Sequence, residues 1–412
     1  MTLVRGNTLT SEISKIVHGG YGLGRVDGQV LFIPGTAPGD VVDVMVTEVK
    51  KSHAFAEVVS VIQPSPHRVP HIWPEAEWSR EPHDRVGGAD FGHLALDYQR
   101  QVKADIIREA LDRQGDTSAK WTDALVVRSI PGLPDGTGWR TRVTLHVDEN
   151  GVAGQRGFRS HRVISTHTLP LAHPEIEALG AHRQTWSGER ALHLGRSSTG
   201  GQWLMMAGDK PAPVTEQVAQ HTFHLDTDVF WQVHDSAAEV LSAAVTAAID
   251  WDVWEGGAHN SDLYGGVGLF AAALAARGGA SSRVISVESH EKASSFAHRN
   301  LQSFDNAVTV TSDVLAYLRG EVRHLSARDK DHYARSTIVL DPPRSGAGKN
   351  VIDLLVGLAP RQIVYVACDP VAFARDQKLL AHAGYGLSSL DAFDLFPHTH
   401  HIEMVASFRA SA

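Results

Sequence analysis

From Phe230 to the C-terminus, helical and apolar segments alternate in the chain. The periodicity predicts helices over 237–249 and 268–276, with strands over 260–264, 283–288, 308–311, 337–341 and 362–367. That order fits a doubly wound α/β domain built on a largely parallel sheet. Such a sheet binds ligands beyond the carboxyl ends of its strands. The residues that follow each predicted strand are therefore the first place to look for chemistry.

The rest of the chain follows different rules. Residues 9–62 alternate apolar and polar residues between glycine turns, with predicted strands around 12–16, 28–33, 41–46 and 54–59. Short strands at that spacing point to a small antiparallel barrel, and Pro64-Ser65-Pro66 looks like a linker. Leu96, Tyr98, Val102, Ile106, Ala110 and Leu111 recur at helical spacing and predict a helix over 97–113, ended near Gly115. Residues 125–225 read as mostly strands, among them Arg142 to Val147. The expected division is a barrel over 1–63, a central mostly β domain over 64–225 and an α/β domain over 226–412, with the 97–113 helix packed on the last.

The net charge of −9 argues against a general polycation but not against nucleic acid, which is read by local patches. Residues 226–412 hold 15 Lys and Arg against 22 Asp and Glu. A basic stretch in the middle segment, Arg140, Arg142, Arg156, Arg159 and Arg162, is the place to seek a polyanion; an ordinary solvated strand face is the plainer reading. No stretch is apolar enough for a membrane span, and the first residues lack a signal-peptide core. A cytoplasmic protein with no membrane partner is expected. One cysteine rules out an internal disulfide and an all-cysteine metal or iron–sulfur site.

That cysteine, Cys368, follows the strand over 362–367 and precedes Asp369-Pro370. It is either a nucleophile at the ligand crevice or a buried, inert thiol. Four other strand ends carry polar signals. Tyr264-Gly265-Gly266-Val267-Gly268 is a glycine turn into a helix, where backbone can approach a ligand closely. Glu288, about twenty residues on, suits ribose hydroxyls. Asp313 is placed for an adenine amino group, and Asp341-Pro342-Pro343-Arg344 fixes a carboxylate at a reaction site. The last two features favour S-adenosylmethionine (SAM) over a nicotinamide cofactor.

With Phe230-Trp231-Gln232-Val233-His234, LDPPRSG, VYVACDP and the run from Phe396 to Glu403, these segments resemble the bacterial class I SAM-dependent RNA (uracil-5-)-methyltransferases, and residues 1–63 resemble their TRAM domain. The resemblance implies an α/β fold: a Rossmann-like SAM methyltransferase domain with an N-terminal TRAM/OB-like barrel and a central mostly β domain. It also implies methyl transfer to C5 of a uridine in ribosomal or transfer RNA, with Cys368 as nucleophile and Glu403 as the base that removes the C5 proton. Gln232, Tyr264, Gly266, Glu288, Asp313 and Asp341 would contact SAM. Asp341 and Arg344 would hold the base, although a salt bridge explains Arg344 equally well, and Arg140 and Arg142 would help to position RNA.

Three departures from the family pattern stand out. Val86-Gly87-Gly88-Ala89 replaces the Cys-Gly-Gly-Cys of relatives that carry an iron–sulfur cluster, so no cluster is expected. Asp369 stands where Asn is usual, and its charge would tend to raise the Cys368 pKa. Leu269 stands where some members have a polar residue. His398, His400 and His401 lack an acidic or cysteine co-ligand nearby, so no metal is expected. A monomer is the expected state. The rival reading is an RNA-binding or RNA-remodelling protein that keeps the fold with little turnover.

Overall fold

The computed structural model describes residues 3–115, 121 and 123–410. Strands β1 (Thr8–Val17), β2 (Tyr21–Val26), β3 (Gln29–Ile33), β4 (Val41–Val49) and β5 (His53–Gln63) close into a barrel in the order β1-β2-β3-β5-β4. Alternation places Ile13, Leu31, Ile33, Val42, Val44, Val46, Ala54 and Ala56 inside it. Strand β2 was missing from the sequence reading, which treated its glycines as a turn. They are there because the barrel interior is full. A Cβ on Gly22 would lie 1.9 Å from Thr36 Oγ1, and one on Gly24 2.3 Å from Ser11 Oγ.

The segment around Gly87 and Gly88 is ordered by packing. Trp73, Trp78, Val86, Ala89 and Phe91 are buried, and Trp78 Nε1 donates to His93 Nδ1 at 3.2 Å. Arg68 ties the linker to the barrel by pairing with buried Asp40 at 2.5 Å and donating to Gly35 O at 2.9 Å.

Helix α1 (Leu96–Gln114) lies between barrel and α/β sheet. Ala104, Ile107, Ala110 and Leu111 join the core of the sheet, whereas Val102 and Ile106 pack with Ile16 and Ala37 of the barrel side. Strand β6 (Val127–Arg128) then pairs at the edge of the large sheet. A separate five-stranded sheet, in the order β11-β10-β7-β8-β9, is built from β7 (Arg142–Val147), β8 (Ala153–Arg156), β9 (Val163–Ser165), β10 (Ala191–Arg196) and β11 (Gln202–Met206). The hairpin of β12 (Pro213–Val218) and β13 (His221–Asp226) buries Val214, Phe223 and Leu225 against the helices that follow.

Those helices flank β14 (Asn260–Leu263), β15 (Val284–Glu288), β16 (Ala307–Thr311), β17 (Thr337–Leu340), β18 (Gln362–Ala367), β19 (Tyr385–Phe393) and β20 (Glu403–Ala410). With β6 they form an eight-stranded sheet in the order β16-β15-β14-β17-β18-β20-β19-β6. Strands β14 to β18 are parallel to their neighbours among themselves, and β20 runs antiparallel to both β18 and β19. Every residue of β18 is buried, as a strand covered on both faces requires. Ile363 and Tyr365 enter one core, and Val364 and Val366 the other.

Two polar side chains on α1 break its apolar pattern. Gln99 and Lys103 are fully buried. Lys103 Nζ reaches Asp394 Oδ1 at 2.5 Å and Phe396 O at 3.0 Å. Gln99 Oε1 accepts from His398 N at 2.7 Å. Together they pin the 394–398 segment that leads into Glu403. Replacing Lys103 with Met would leave buried Asp394 only the more distant Arg100, at 3.8 Å, a loss of up to about 3–5 kcal/mol. The thermal midpoint of Lys103→Met should therefore fall by several degrees, and Lys103→Met/Asp394→Leu should recover much of it. An unchanged midpoint in the single variant would show that the pair does not hold this segment.

Candidate active site

Cys368 leaves the end of β18 and Glu403 opens β20. The register of that antiparallel pair runs from Gln362 opposite Arg409 to Ala367 opposite Met404. Continued by one step, that register would set Cys368 opposite Glu403, and Glu403 is the largest charge acting on the thiol. Residues directly opposite in such a ladder project to the same face. On the other side of β18, Leu340 of β17 pairs with Tyr365, so Asp341 emerges beside Cys368 at the same end of the sheet. Arg344 follows through the Pro342-Pro343 turn and lines a cleft with Cys368 and Asp369.

The loop bearing Arg344 is fixed from below. Asp376 Oδ2 accepts from Tyr365 OH at 2.8 Å and Gly348 N at 3.1 Å. Arg375 pairs with Asp376 at 2.9 Å and donates to Ser345 O at 2.7 Å. Arg344 Nη2 comes to 3.4 Å from His401 Nε2, whose ring is pushed down to about 3, chiefly by burial and by the charges of His400 and Arg344. His401 therefore stays neutral and leaves Arg344 as the cation of the cleft.

Burial dominates the titration of the other groups. The Cys368 thiol is pushed up to about 12 by burial and by the charges of Glu403 and Asp341; Arg344 opposes them and Asp369 adds least. Glu403 is raised well above the usual carboxylate range by burial and by Asp341, again opposed by Arg344. Burial lifts Asp341 to about 7. A thiol, two carboxyls and a guanidinium thus lie close enough to act on one another's charge. Chemically they are a nucleophile, a base, a hydrogen-bonding carboxylate and a cation for developing negative charge.

The glycine turn lies next to this cleft. Tyr264 has φ 65° and Gly266 φ 55°, the left-handed region that is uncommon for a residue such as Tyr264. Gly266 N donates to Glu288 Oε2 at 2.9 Å, and His290 N donates to Glu288 Oε1 at 2.7 Å. Asp313 caps helix α6 (Val314–Arg323, after α2 at Pro174–Ala178, α3 at Ala237–Ala248, α4 at Leu269–Gly278 and α5 at Glu291–Asn300) by accepting from Ala316 N at 2.9 Å. Its charge helps burial to push the Tyr264 phenol up to about 12.

Asp262 of β14, two residues before the glycine turn, was assigned no role from the sequence. It is fully buried, its Oδ2 accepts from Ala271 N at 2.9 Å, and its Oδ1 has no partner. Burial raises it to about 8, with the Ala271 amide opposing and the charges of Asp341 and Glu288 adding. Three carboxyls with room for more positive charge suit a cofactor that carries a sulfonium and an ammonium group.

Two further placements were not legible in the sequence. Asp369 caps α9 (Pro370–His382, after α7 at Ala327–Ala334 and α8 at Gly348–Leu358) through Val371 N at 3.0 Å and Ala372 N at 2.8 Å. His18, in the turn between β1 and β2, reaches Asp369 Oδ2 at 3.3 Å. The three C-terminal histidines lie in the irregular segment between β19 and β20, with His398 at φ 64°. His398 bonds Asp135 O at 2.7 Å and His400 pairs with Asp90. No group of three or more His, Cys, Asp or Glu converges on a metal position among the described residues.

Arg140 and Arg142 lie apart from Cys368, at the start of the five-stranded sheet. Arg140 Nε donates to Arg142 O at 3.0 Å, and Arg142 Nη1 to Val229 O at 2.5 Å. Both line a cavity of about 920 Å³ with Arg156, His193 and Trp203. Gln232 occupies the adjoining strand-like segment, held by Thr141 N donating to Val233 O at 2.7 Å.

Because Cys368 is the sole cysteine, its reactivity can be read directly. A thiol raised from 9.0 to about 12 holds on the order of a thousandfold less thiolate at pH 8. Iodoacetamide should therefore label the folded protein far more slowly than the urea-unfolded chain, and the rate should still be climbing at pH 10. A plateau near pH 9 would contradict the buried, acid-crowded thiol.

A profile of the tRNA (Uracil-5-)-methyltransferase family matches residues 216–409, and one of the TRAM domain matches residues 4–59. An uncharacterized RNA methyltransferase of Streptomyces avermitilis is 34% identical, with 99% of each chain covered. Another from Streptomyces coelicolor is 33% identical over 99% of this chain and 94% of its own. The crystal structure of Pyrococcus abyssi tRNA (uracil-54, C5)-methyltransferase with S-adenosyl-L-homocysteine shares the fold. Its TM-score is 0.68 at 22% identity, covering 97% of this chain and 100% of that one. The chain belongs to the SAM-dependent RNA methyltransferases of the tRNA (uracil-5-)-methyltransferase family, with an N-terminal TRAM domain.

Proposed function

We propose that the protein methylates C5 of a uridine in structured RNA through a covalent bond between Cys368 and C6 of the base. The observation that carries this reading is the β18–β20 register, which brings Cys368 opposite Glu403 with Asp341 and Arg344 alongside. Uracil C5 is a weak nucleophile until a thiolate adds to C6 and turns the ring into an enolate.

In this reading Asp341 accepts from the base edge and Arg344 stabilises negative charge on O4. SAM supplies an activated methyl group. Gln232, Tyr264, Glu288, Asp313, Asp341 and the Gly266 backbone would hold it, and its positive charge would offset the carboxyls that keep the Cys368 thiol protonated. Attack by C5 leaves a proton on that carbon. Glu403 removes it, the C5–C6 double bond re-forms, and the Cys368–C6 bond breaks. A Glu403 carboxyl raised well above its usual range by burial is a stronger base than an ordinary carboxylate.

The target base must leave its stack to reach this cleft. Two surfaces support RNA holding. Outward positions of the barrel carry Tyr21, Phe32, His53 and Phe55, half-buried and in mutual ring contact at 5.2–6.0 Å, a stacking surface for bases. Arg140 and Arg142 would act from the central sheet. The barrel over 1–63, the central part over 64–225 and the methyltransferase part over 226–412 then divide the work, and one chain holds every group the reaction uses. Transfer RNA is the first substrate to test, since the family and the archaeal relative are named for it, and ribosomal RNA is the second.

Unmodified bulk RNA incubated with SAM and wild-type protein should yield 5-methyluridine in nucleoside mass spectrometry, and Cys368→Ala should yield none while binding SAM normally. Bound RNA without 5-methyluridine from the wild type would favour the binding-protein reading. Glu403→Gln should stall after methyl transfer and accumulate a protein–RNA adduct on a denaturing gel. Absence of that band would remove Glu403 from the role of base.

A further inference from the structure

Among the described residues, a polar contact joins the barrel to the catalytic segment. The β1–β2 turn, His18-Gly19-Gly20, wedges against the cleft: a Cβ on Gly20 would lie 3.2 Å from His400 Cβ, and His18 Nε2 lies 3.3 Å from Asp369 Oδ2. Asp369 is bonded to Cys368 in the chain and uses its other oxygen, Oδ1, on the first amides of α9. We propose that His18 is a positioning residue of the methyl-transfer site, holding the Asp369 carboxylate away from Cys368 and balancing its charge, so that the seated barrel keeps the thiol ready to react.

The charges around the thiol explain why a balancing group is needed. Glu403, Asp341 and Asp369 all disfavour a thiolate at Cys368, and Arg344 is the cation that opposes them. Asp369 contributes least of the three although it is the adjacent residue. Its two oxygens are engaged by the helix amides and by the imidazole. The contact also favours the charged forms of both partners: His18 is raised chiefly by its bond to Asp369, and Asp369 is held below its usual range by His18 and the amides despite burial. The pair is fully charged only above the folded-state pKa of Asp369 and below that of His18. With His18 46% and Asp369 22% exposed, solvent weakens the pair, so the effect is modest. Among the described residues, His18 is the basic side chain paired with Asp369.

This inference rests on the proposed role of Cys368, but its first readout needs no turnover. The test uses the full chain as wild type, His18→Gln, Asp369→Asn and the double variant, with Cys368 alkylation followed by intact mass at pH 7.5. His18→Gln should slow labelling about three- to ten-fold, and Asp369→Asn in that background should restore it, because a neutral amide still caps α9 and needs no counter-charge. On RNA, His18→Gln should lower kcat by a similar factor with the KM for SAM unchanged, and the double variant should recover it. Asp369→Asn alone should label at least as fast as wild type, which keeps the test open if His18→Gln fails to fold. Equal labelling of wild type and His18→Gln, no rescue in the double variant, or slower labelling of Asp369→Asn would each overturn the proposal. A wild type that makes no 5-methyluridine would sink the proposed function while leaving the labelling comparison to decide the role of His18.

Discussion

Antiparallel pairing of β20 with β18 is the constraint on which the catalytic end depends. A parallel neighbour would deliver another strand C-terminus to the cleft, as β17 does with Asp341. The reversed strand instead delivers its first residue, so Glu403 enters from a segment distant in sequence and meets Cys368 without a long connecting loop. The pleat then puts both side chains on one face. Small changes in register would separate them, because a slip of one residue turns a side chain to the opposite face.

The segments around that register are fixed from both outside and within the matched methyltransferase region. Gln99 and Lys103 on α1 fix the 394–398 segment just upstream of Glu403, while the Tyr365–Asp376–Arg375 network fixes the loop carrying Arg344. The adjoining side of α1, through Val102 and Ile106, packs on barrel residues, and His18 touches Asp369. Barrel, helix and catalytic strands are therefore joined through buried contacts rather than strung along a linker. Buried pairs such as Lys103–Asp394 carry a large penalty when one partner is lost, which suits them to specifying one position for the loop.

Much of this arrangement is legible in the sequence where the code is local. The strand order over 260–367 follows from apolar runs and turn residues, and 362–367 coincides with β18. Strand-end residues Tyr264, Glu288, Asp341 and Cys368 follow from the rule that open sheets bind ligands there. Other features depend on contacts between distant segments. Strand β2 hid behind glycines that only a packed barrel interior explains, and β6, with two residues, has no periodicity to read. Gln99 and Lys103 look like the polar side of an amphipathic helix until the 394–398 loop covers them. His18 lies hundreds of residues from Asp369, and nothing in its neighbours signals the pairing. Arg140 and Arg142 were found by charge, yet they line a cavity of their own rather than the Cys368 cleft.

The central claim is that Cys368 bonds to C6 of the target uridine and Glu403 then removes the C5 proton. RNA carrying 5-fluorouridine tests both steps at once, since fluorine at C5 cannot be removed as a proton. Incubated with SAM and wild-type protein, it should give a denaturation-resistant complex containing protein, RNA and one transferred methyl group, with the nucleotide mapped to the peptide bearing Cys368. An adduct without the methyl group, an attachment elsewhere, or release of methylated RNA with no adduct would contradict the account.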